Sequence, residues 1–80
     1  MTEGKSYIDD QLKNFANRLK EVRKEKGYAN YEQFAFDNEL PRAQYGRYEK
    51  GQDLRFSSLL KVLKAMDISL ADFFSKGFDK

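Results

Sequence analysis

The 80-residue sequence has no cysteine, no histidine and no tryptophan, and it has a single proline. Without cysteine there is neither a disulfide framework nor a thiolate nucleophile. With histidine missing as well, ordinary zinc sites and Ser–His or Cys–His nucleophile pairs are excluded. β-Branched residues are scarce: Thr2, Ile8, Val22, Val62 and Ile68 are all there are, too few to build a sheet. Long apolar runs are missing too. The greasiest stretch, 58–66, is broken by Lys61 and Lys64, which rules out a membrane span, and the first residues lack the charged-then-apolar layout of a secretory signal. No glycine-rich phosphate loop, calcium loop or dinucleotide fingerprint occurs. Asp9 and Asp10, as neighbours on a helix, cannot converge on one substrate atom. These gaps point away from an enzyme and toward a binding module, with no catalytic residue, metal, cofactor or small-molecule site expected.

What is present suits a single small domain. Hydrophobic residues make up 40% and charged residues 35%, an ordinary globular balance at a length where one core is only just sufficient. Leu, Lys, Glu, Ala and Arg dominate, and they lose little side-chain freedom in a helix. The fold class expected is all-α.

Pattern and punctuation place five helices. Ile8, Leu12, Phe15, Leu19 and Val22 recur at spacings of three and four, which puts them on one face of a first helix. It is expected to begin between residues 6 and 10, run to 26 and stop at Gly27, with residues 1–5 a frayed tail. Asn30 with Gln33 three residues on reads as a capping box opening a short helix over 31–38 that buries Phe34 and Ala35. Pro41 suits the first turn of the next helix, which runs from about 41 to 50 and ends at Gly51. On it Tyr45, Tyr48 and Glu49 share one face, and Arg42, Ala43 and Arg47 the other. A fourth helix over 56–66 is expected to bury Phe56, Leu59, Leu60 and Leu63. A fifth, 70–75, is capped by Ser69. In domain terms, residues 1–8 are a flexible tail or helix extension, 9–76 the domain and 77–80 a second tail.

Two short helices joined by a tight turn inside a five-helix domain form a helix-turn-helix. The ordered run Arg18-Leu19-Lys20-Glu21-Val22-Arg23, Gly27, Phe34-Ala35, Arg42 and Arg47-Tyr48-Glu49-Lys50-Gly51 resembles the Cro/repressor-type helix-turn-helix family, the xenobiotic-response-element class of regulators. The likeness continues through Leu59-Leu60-Lys61-Val62-Leu63-Lys64-Ala65 and Ile68-Ser69-Leu70-Ala71-Asp72-Phe73-Phe74, covering about residues 12–75. It implies a phage-repressor-like five-helix bundle whose helix over 41–50 enters the major groove of double-stranded DNA. Carried over by position, the base-reading residues are Arg42, Ala43, Gln44 and Arg47, with Gly46 beside them. The chemistry agrees, since Arg bonds bidentately to guanine and a small apolar Ala lies against a thymine methyl. A merely solvated helix face is the competing reading of the two arginines. Tyr31, Lys50, Gln52 and Arg55 are the phosphate candidates; Tyr31 packed on Tyr28, and a solvated Arg55, stand against that. The resemblance further implies an ion pair between Arg23 and Glu49, the alternative being two exposed charges that never meet.

Charge is uneven although the net is only +2. Residues 27–41 carry Glu32, Asp37 and Glu39 and no base, whereas residues 42–66 carry Arg42, Arg47, Lys50, Arg55, Lys61 and Lys64 against Glu49 and Asp53. A local basic patch of this kind suits a site-specific reader with salt-sensitive binding.

Three features depart from the family pattern, the first being spacing: the chain is one residue longer than the common form between Gly27 and Phe34 and shorter between Gly51 and Phe56. Glu39 stands where the turn commonly has glycine, so either Asn38 takes the left-handed backbone or the turn differs. Gly46 interrupts the reading helix, to admit either a groove wall or a tight helix contact. Phe34 and Phe36 cannot face one core, so Phe36 packs near Tyr7 and Ile8 or stays exposed at a partner surface. With twelve aromatics, Tyr 5 and Phe 7, either the core is built from large side chains or some of them serve a dimer contact. The expectation is a cytoplasmic, bacterial or phage-like transcription regulator without an attached effector or oligomerisation domain, pairing as a homodimer on a two-fold operator. A protein-interaction module of the same fold, antitoxin-like and partner-binding, is the alternative.

Overall fold

In the computed structural model, which describes residues 2–78, five helices follow one another: α1 (Thr2–Glu25), α2 (Tyr31–Asp37), α3 (Arg42–Tyr48), α4 (Phe56–Met66) and α5 (Leu70–Phe73). No strand occurs among the described residues, and no helix is long and apolar enough to cross a membrane. The shape is 40 × 25 × 23 Å, its length set by the 24-residue α1 at about 36 Å.

The start of α1 differs from expectation. It begins at Thr2, ahead of the expected start between residues 6 and 10, so the stretch read as a frayed tail is helical from residue 2; Met1 lies outside the described residues. The apolar stripe ends near Ile8 because the domain beneath it ends there. Ile8 and Tyr7 are both more than half exposed, and a helix running past its contacts needs only propensity to continue. At the other end Tyr28 N–H donates to the Arg23 carbonyl at 3.1 Å, over a Gly27 at φ 98°, closing the helix as its glycine requires.

Local chemistry fixes the shorter elements. The Asn30 side chain accepts from the Gln33 backbone N–H at 2.8 Å, a true N-cap. The Gln33 amide turns to Asp37 at 2.7 Å instead, so only half of the expected capping box forms. Ser69 caps α5 through the Asp72 N–H at 3.0 Å. Pro41 sits at the N-cap of α3 rather than within its first turn, and α3 is correspondingly shorter than 41–50. In the turn before it, Glu39 itself takes the left-handed backbone at φ 58°, while Asn38 stays at φ −106°. The Asn38 side chain is occupied with the Phe34 carbonyl at 2.9 Å, which holds it at the end of α2. Strain on the order of 1 kcal/mol is therefore stored at Glu39.

The core is one cluster fed by every helix: Phe15, Leu19 and Val22, then Phe34 and Ala35, Tyr45 and Tyr48, Leu59, Val62, Leu63 and Met66, and Phe73. Two expected core residues are outside it. Phe56 is 63% and Leu60 40% exposed, while Val62 and Met66 take their places. The reason is angular. At 100° per residue Leu59, Val62, Leu63 and Met66 span a compact arc, and Phe56 and Leu60 lie just beyond its edge. Phe36 is exposed as well, at 73%. The aromatics thus divide: Phe15, Phe34, Tyr45, Tyr48 and Phe73 build the core, and Tyr7, Phe36, Phe56 and Phe74 face solvent.

Candidate nucleic-acid interface

α3 is braced from below and bare above. Tyr45, Tyr48 and Glu49 are buried, and Arg42, Ala43, Gln44 and Arg47 are exposed. Beneath it an aromatic column holds its height: Phe34 of α2 lies 5.2 Å from Tyr45 between ring centroids, and Tyr48 lies 6.4 Å from Tyr45. The backbone ends at Gly51, φ 93°, where the chain turns back beside the Leu12 carbonyl of α1.

The end of α3 is tied to α1 by a two-pronged ion pair. Arg23 Nε donates to Glu49 Oε2 at 2.8 Å and Nη2 to Oε1 at 3.0 Å, while Nη1 donates to the Tyr28 carbonyl at 2.9 Å. Both residues are buried, at 5% and 4% exposure, so the pair forms and is not a pair of free surface charges. The hydrogen bond to Glu49, opposed by burial, holds the Arg23 guanidinium above its usual range. The Tyr45 hydroxyl is sealed in the same region without a hydrogen-bond partner. Burial, with the Glu49 charge adding to it, pushes this phenol well above the usual tyrosine range.

That shift has a sign for stability. A phenol whose folded pKa is raised by burial leaves stability independent of pH below its unfolded pKa near 10.0. It destabilises the fold progressively as pH climbs from there toward the folded value, because the unfolded chain ionises first. Stability is expected to fall above about pH 10, and Tyr45→Phe should flatten that fall in urea titrations run across the alkaline range. Near neutrality the same variant should be neutral or stabilising, because a buried hydroxyl without a partner costs about 1–3 kcal/mol.

Arg42, Arg47, Lys50 and Arg55 are exposed, and none has an ion-pair partner among the described residues, where the two pairs are Arg18–Glu21 and Arg23–Glu49. An open hollow of about 370 Å³ brings Gln44 and Arg47 of α3 together with Gln52, Asp53 and Arg55 of the following loop and Ser58 of α4. Asp53 is partly spent on the Leu54 N–H at 2.7 Å. Four of the sequence-derived candidates therefore share one concavity, whereas Arg42, Ala43, Lys50 and Tyr31 lie outside it. Arg42 and Arg47 avoid the buried face, yet five residues of helix set them about 140° apart rather than in a single line.

Ser58 was not foreseen. The signal for it was Arg55-Phe56-Ser57-Ser58 at the opening of α4, where no side chain caps the helix and the free N–H groups suit an anion. Tyr31 was expected at a phosphate or on Tyr28. Its ring stands beside Tyr45 at 6.4 Å and covers Gly46, and does not pack on Tyr28, which pairs with Phe34 at 5.3 Å. The tight helix contact is thus what Gly46 provides.

Comparison with known proteins gives the same answer. Residues 19–73 match the family model described as helix-turn-helix. The chain is 36% identical over 69 residues to the control protein C.MunI of a Mycoplasma species, covering 85% of this chain and 93% of that protein. No solved structure matches it. With the match running from the last third of α1 to the end of α5, across an exposed α3 seated on a buried aromatic column, the chain belongs to the Cro/repressor-type helix-turn-helix family and is a small DNA-binding transcriptional regulator.

Proposed function

We propose that α3 lies in the major groove with Arg42, Ala43, Gln44 and Arg47 at base edges, and that Tyr31, Lys50, Gln52 and Arg55 hold the sugar–phosphate chains on either side. The observation that carries this reading is the set of exposed guanidinium and ammonium groups on and beside α3 that have no ion-pair partner among the described residues. An ion left unpaired at a surface keeps its hydration until it meets an anion, and DNA supplies a row of them. The hollow beside α3 adds neutral donors from Gln44, Gln52 and Ser58, at the uncapped N-terminus of α4.

Two copies acting together complete the proposal. One short helix reads few base pairs, and paired half-sites about 34 Å apart double the address. Phe56 and Leu60, one turn apart on α4, and Leu70 and Phe74, four residues apart at α5, are exposed apolar side chains suited to such a contact. The similarity to a control protein agrees with a role in controlling transcription. Anisotropy titration against random duplex at low salt tests DNA binding itself, with binding expected to weaken steeply as salt rises; silence under those conditions would favour a protein partner instead. Selection of bound sites from a random duplex pool then reports the bases read and the half-site spacing.

Arg47 supplies the sharper test. Arg47→Ala should cost about 1–3 kcal/mol on the selected site and relax one base position. Equal losses on selected and random duplexes would reduce Arg47 to a phosphate contact.

A further inference from the structure

Gly46 leaves the reading helix without a side chain at its centre, and the vacancy is filled from α2. A Cβ placed there would stand 2.7 Å from Tyr31 Cε1, 2.9 Å from Cζ and 3.1 Å from the hydroxyl oxygen. The tip of Tyr31 therefore lies at the surface of α3 itself, at about the distance from its backbone that a short side chain of residue 46 would reach. Gly46 follows Arg42 by four residues, so the two share a stripe along the helix, and Arg47 is its next neighbour in the chain. The ring is anchored by Tyr45 at 6.4 Å. Its hydroxyl has no hydrogen-bond partner among the described residues, and it is not sealed from solvent as the Tyr45 hydroxyl is. A phenol both donates and accepts, so it can pair with a base edge as readily as with phosphate.

We propose that Tyr31 reads a base: seated over Gly46, it stands in for the side chain that the reading helix lacks and presents its hydroxyl in the major groove between the positions read by Arg42 and Arg47. The inference rests on the placement of α3 in the groove proposed above. It assigns Tyr31 a specificity role beyond a grip on the backbone, and it makes Gly46 a requirement of that role. Any larger residue at 46 would compete with the ring for the same space.

Site selection from a random duplex pool with the wild-type chain, Tyr31→Phe and Gly46→Ala tests it. Tyr31→Phe keeps the ring and its packing and removes only the hydroxyl. It should lower the preference at one base pair by about three- to tenfold while leaving the other positions and the thermal midpoint in place. Gly46→Ala puts a Cβ against the movable end of Tyr31, so the chain should fold normally and relax the same base pair. A Tyr31→Phe profile identical to the wild type, or a loss equal on all sequences, would overturn the proposal and leave the placement of α3 standing. Relaxation in Gly46→Ala at a different base pair would overturn it too. A wild-type chain without any sequence preference would remove both.

Discussion

Glu49→Ala should cost about 3–5 kcal/mol of folding stability. For 80 residues the total available is only about 4–12 kcal/mol, so this variant is expected to be largely unfolded near body temperature. The loss comes less from the pair's own worth than from what is left behind. Arg23, 5% exposed, would keep one hydrogen bond to the Tyr28 carbonyl and lose both to a carboxylate, leaving a buried guanidinium without a counter-charge. Glu49→Gln preserves shape and one acceptor but not the charge, and should fall in between. Replacing both partners, Arg23→Met with Glu49→Leu, should recover much of the loss, because two apolar side chains have no desolvation to repay. Urea unfolding of the single and double variants measures the coupling directly. A Glu49→Ala midpoint equal to the wild type would mean the pair contributes nothing. Since Glu49 ends the helix that bears Arg47, DNA binding should fail together with folding, and cooling should restore both.

Much of this architecture was legible because helix starts and stops are local chemistry. Asn30, Ser69, Gly27 and Gly51 act within three or four residues of themselves, and their roles follow from hydrogen-bond geometry that sequence spells out. Where several elements jointly decide an outcome, periodicity was a poorer guide. Phe56 and Leu60 satisfy a helical apolar repeat as well as Val62 and Met66 do, and which arc faces inward depends on where α1 and α5 pack. The early residues of α1 mislead in the opposite sense, since an apolar stripe records contact with a neighbour and not the extent of the helix. At the interface the exposed cations were readable as residue types, whereas the Tyr31–Gly46 contact was not, joining residues fifteen apart across two helices. Gly46 did leave a trace in the sequence, as a glycine inside a helix with no turn to explain it. The Arg23–Glu49 pair was reached through family resemblance. Charge alone gives no reason to couple these two among 15 basic and 13 acidic residues.

Arg18→Ala is expected to lower stability by about 2–4 kcal/mol and to release α5 before the rest of the domain. α5 has only four residues, Leu70–Phe73, so it cannot close enough hydrogen bonds to sustain itself. Its carbonyl end is held from outside. Arg18 Nε donates to the Phe73 carbonyl at 2.6 Å and Nη2 to the Asp72 carbonyl at 2.9 Å, and the cation also suits the negative end of a helix. The same guanidinium lies 5.6 Å from the centre of the Phe73 ring, which packs on Phe15 at 5.6 Å and on Phe74 at 4.9 Å. Each charge-assisted bond is worth about 1.5–3 kcal/mol, less than additively in a shared network. The surface ion pair from Nη1 to Glu21, which is half exposed, adds little. Hydrogen exchange should show the amides of Phe73 and Phe74 losing protection in Arg18→Ala at denaturant concentrations where those of α2 and α3 remain protected. If two copies pair through α4 and α5, the variant should bind a single half-site nearly as well as the wild type and lose the advantage of the paired site. Uniform loss of protection across all five helices would instead make Arg18 part of one indivisible core.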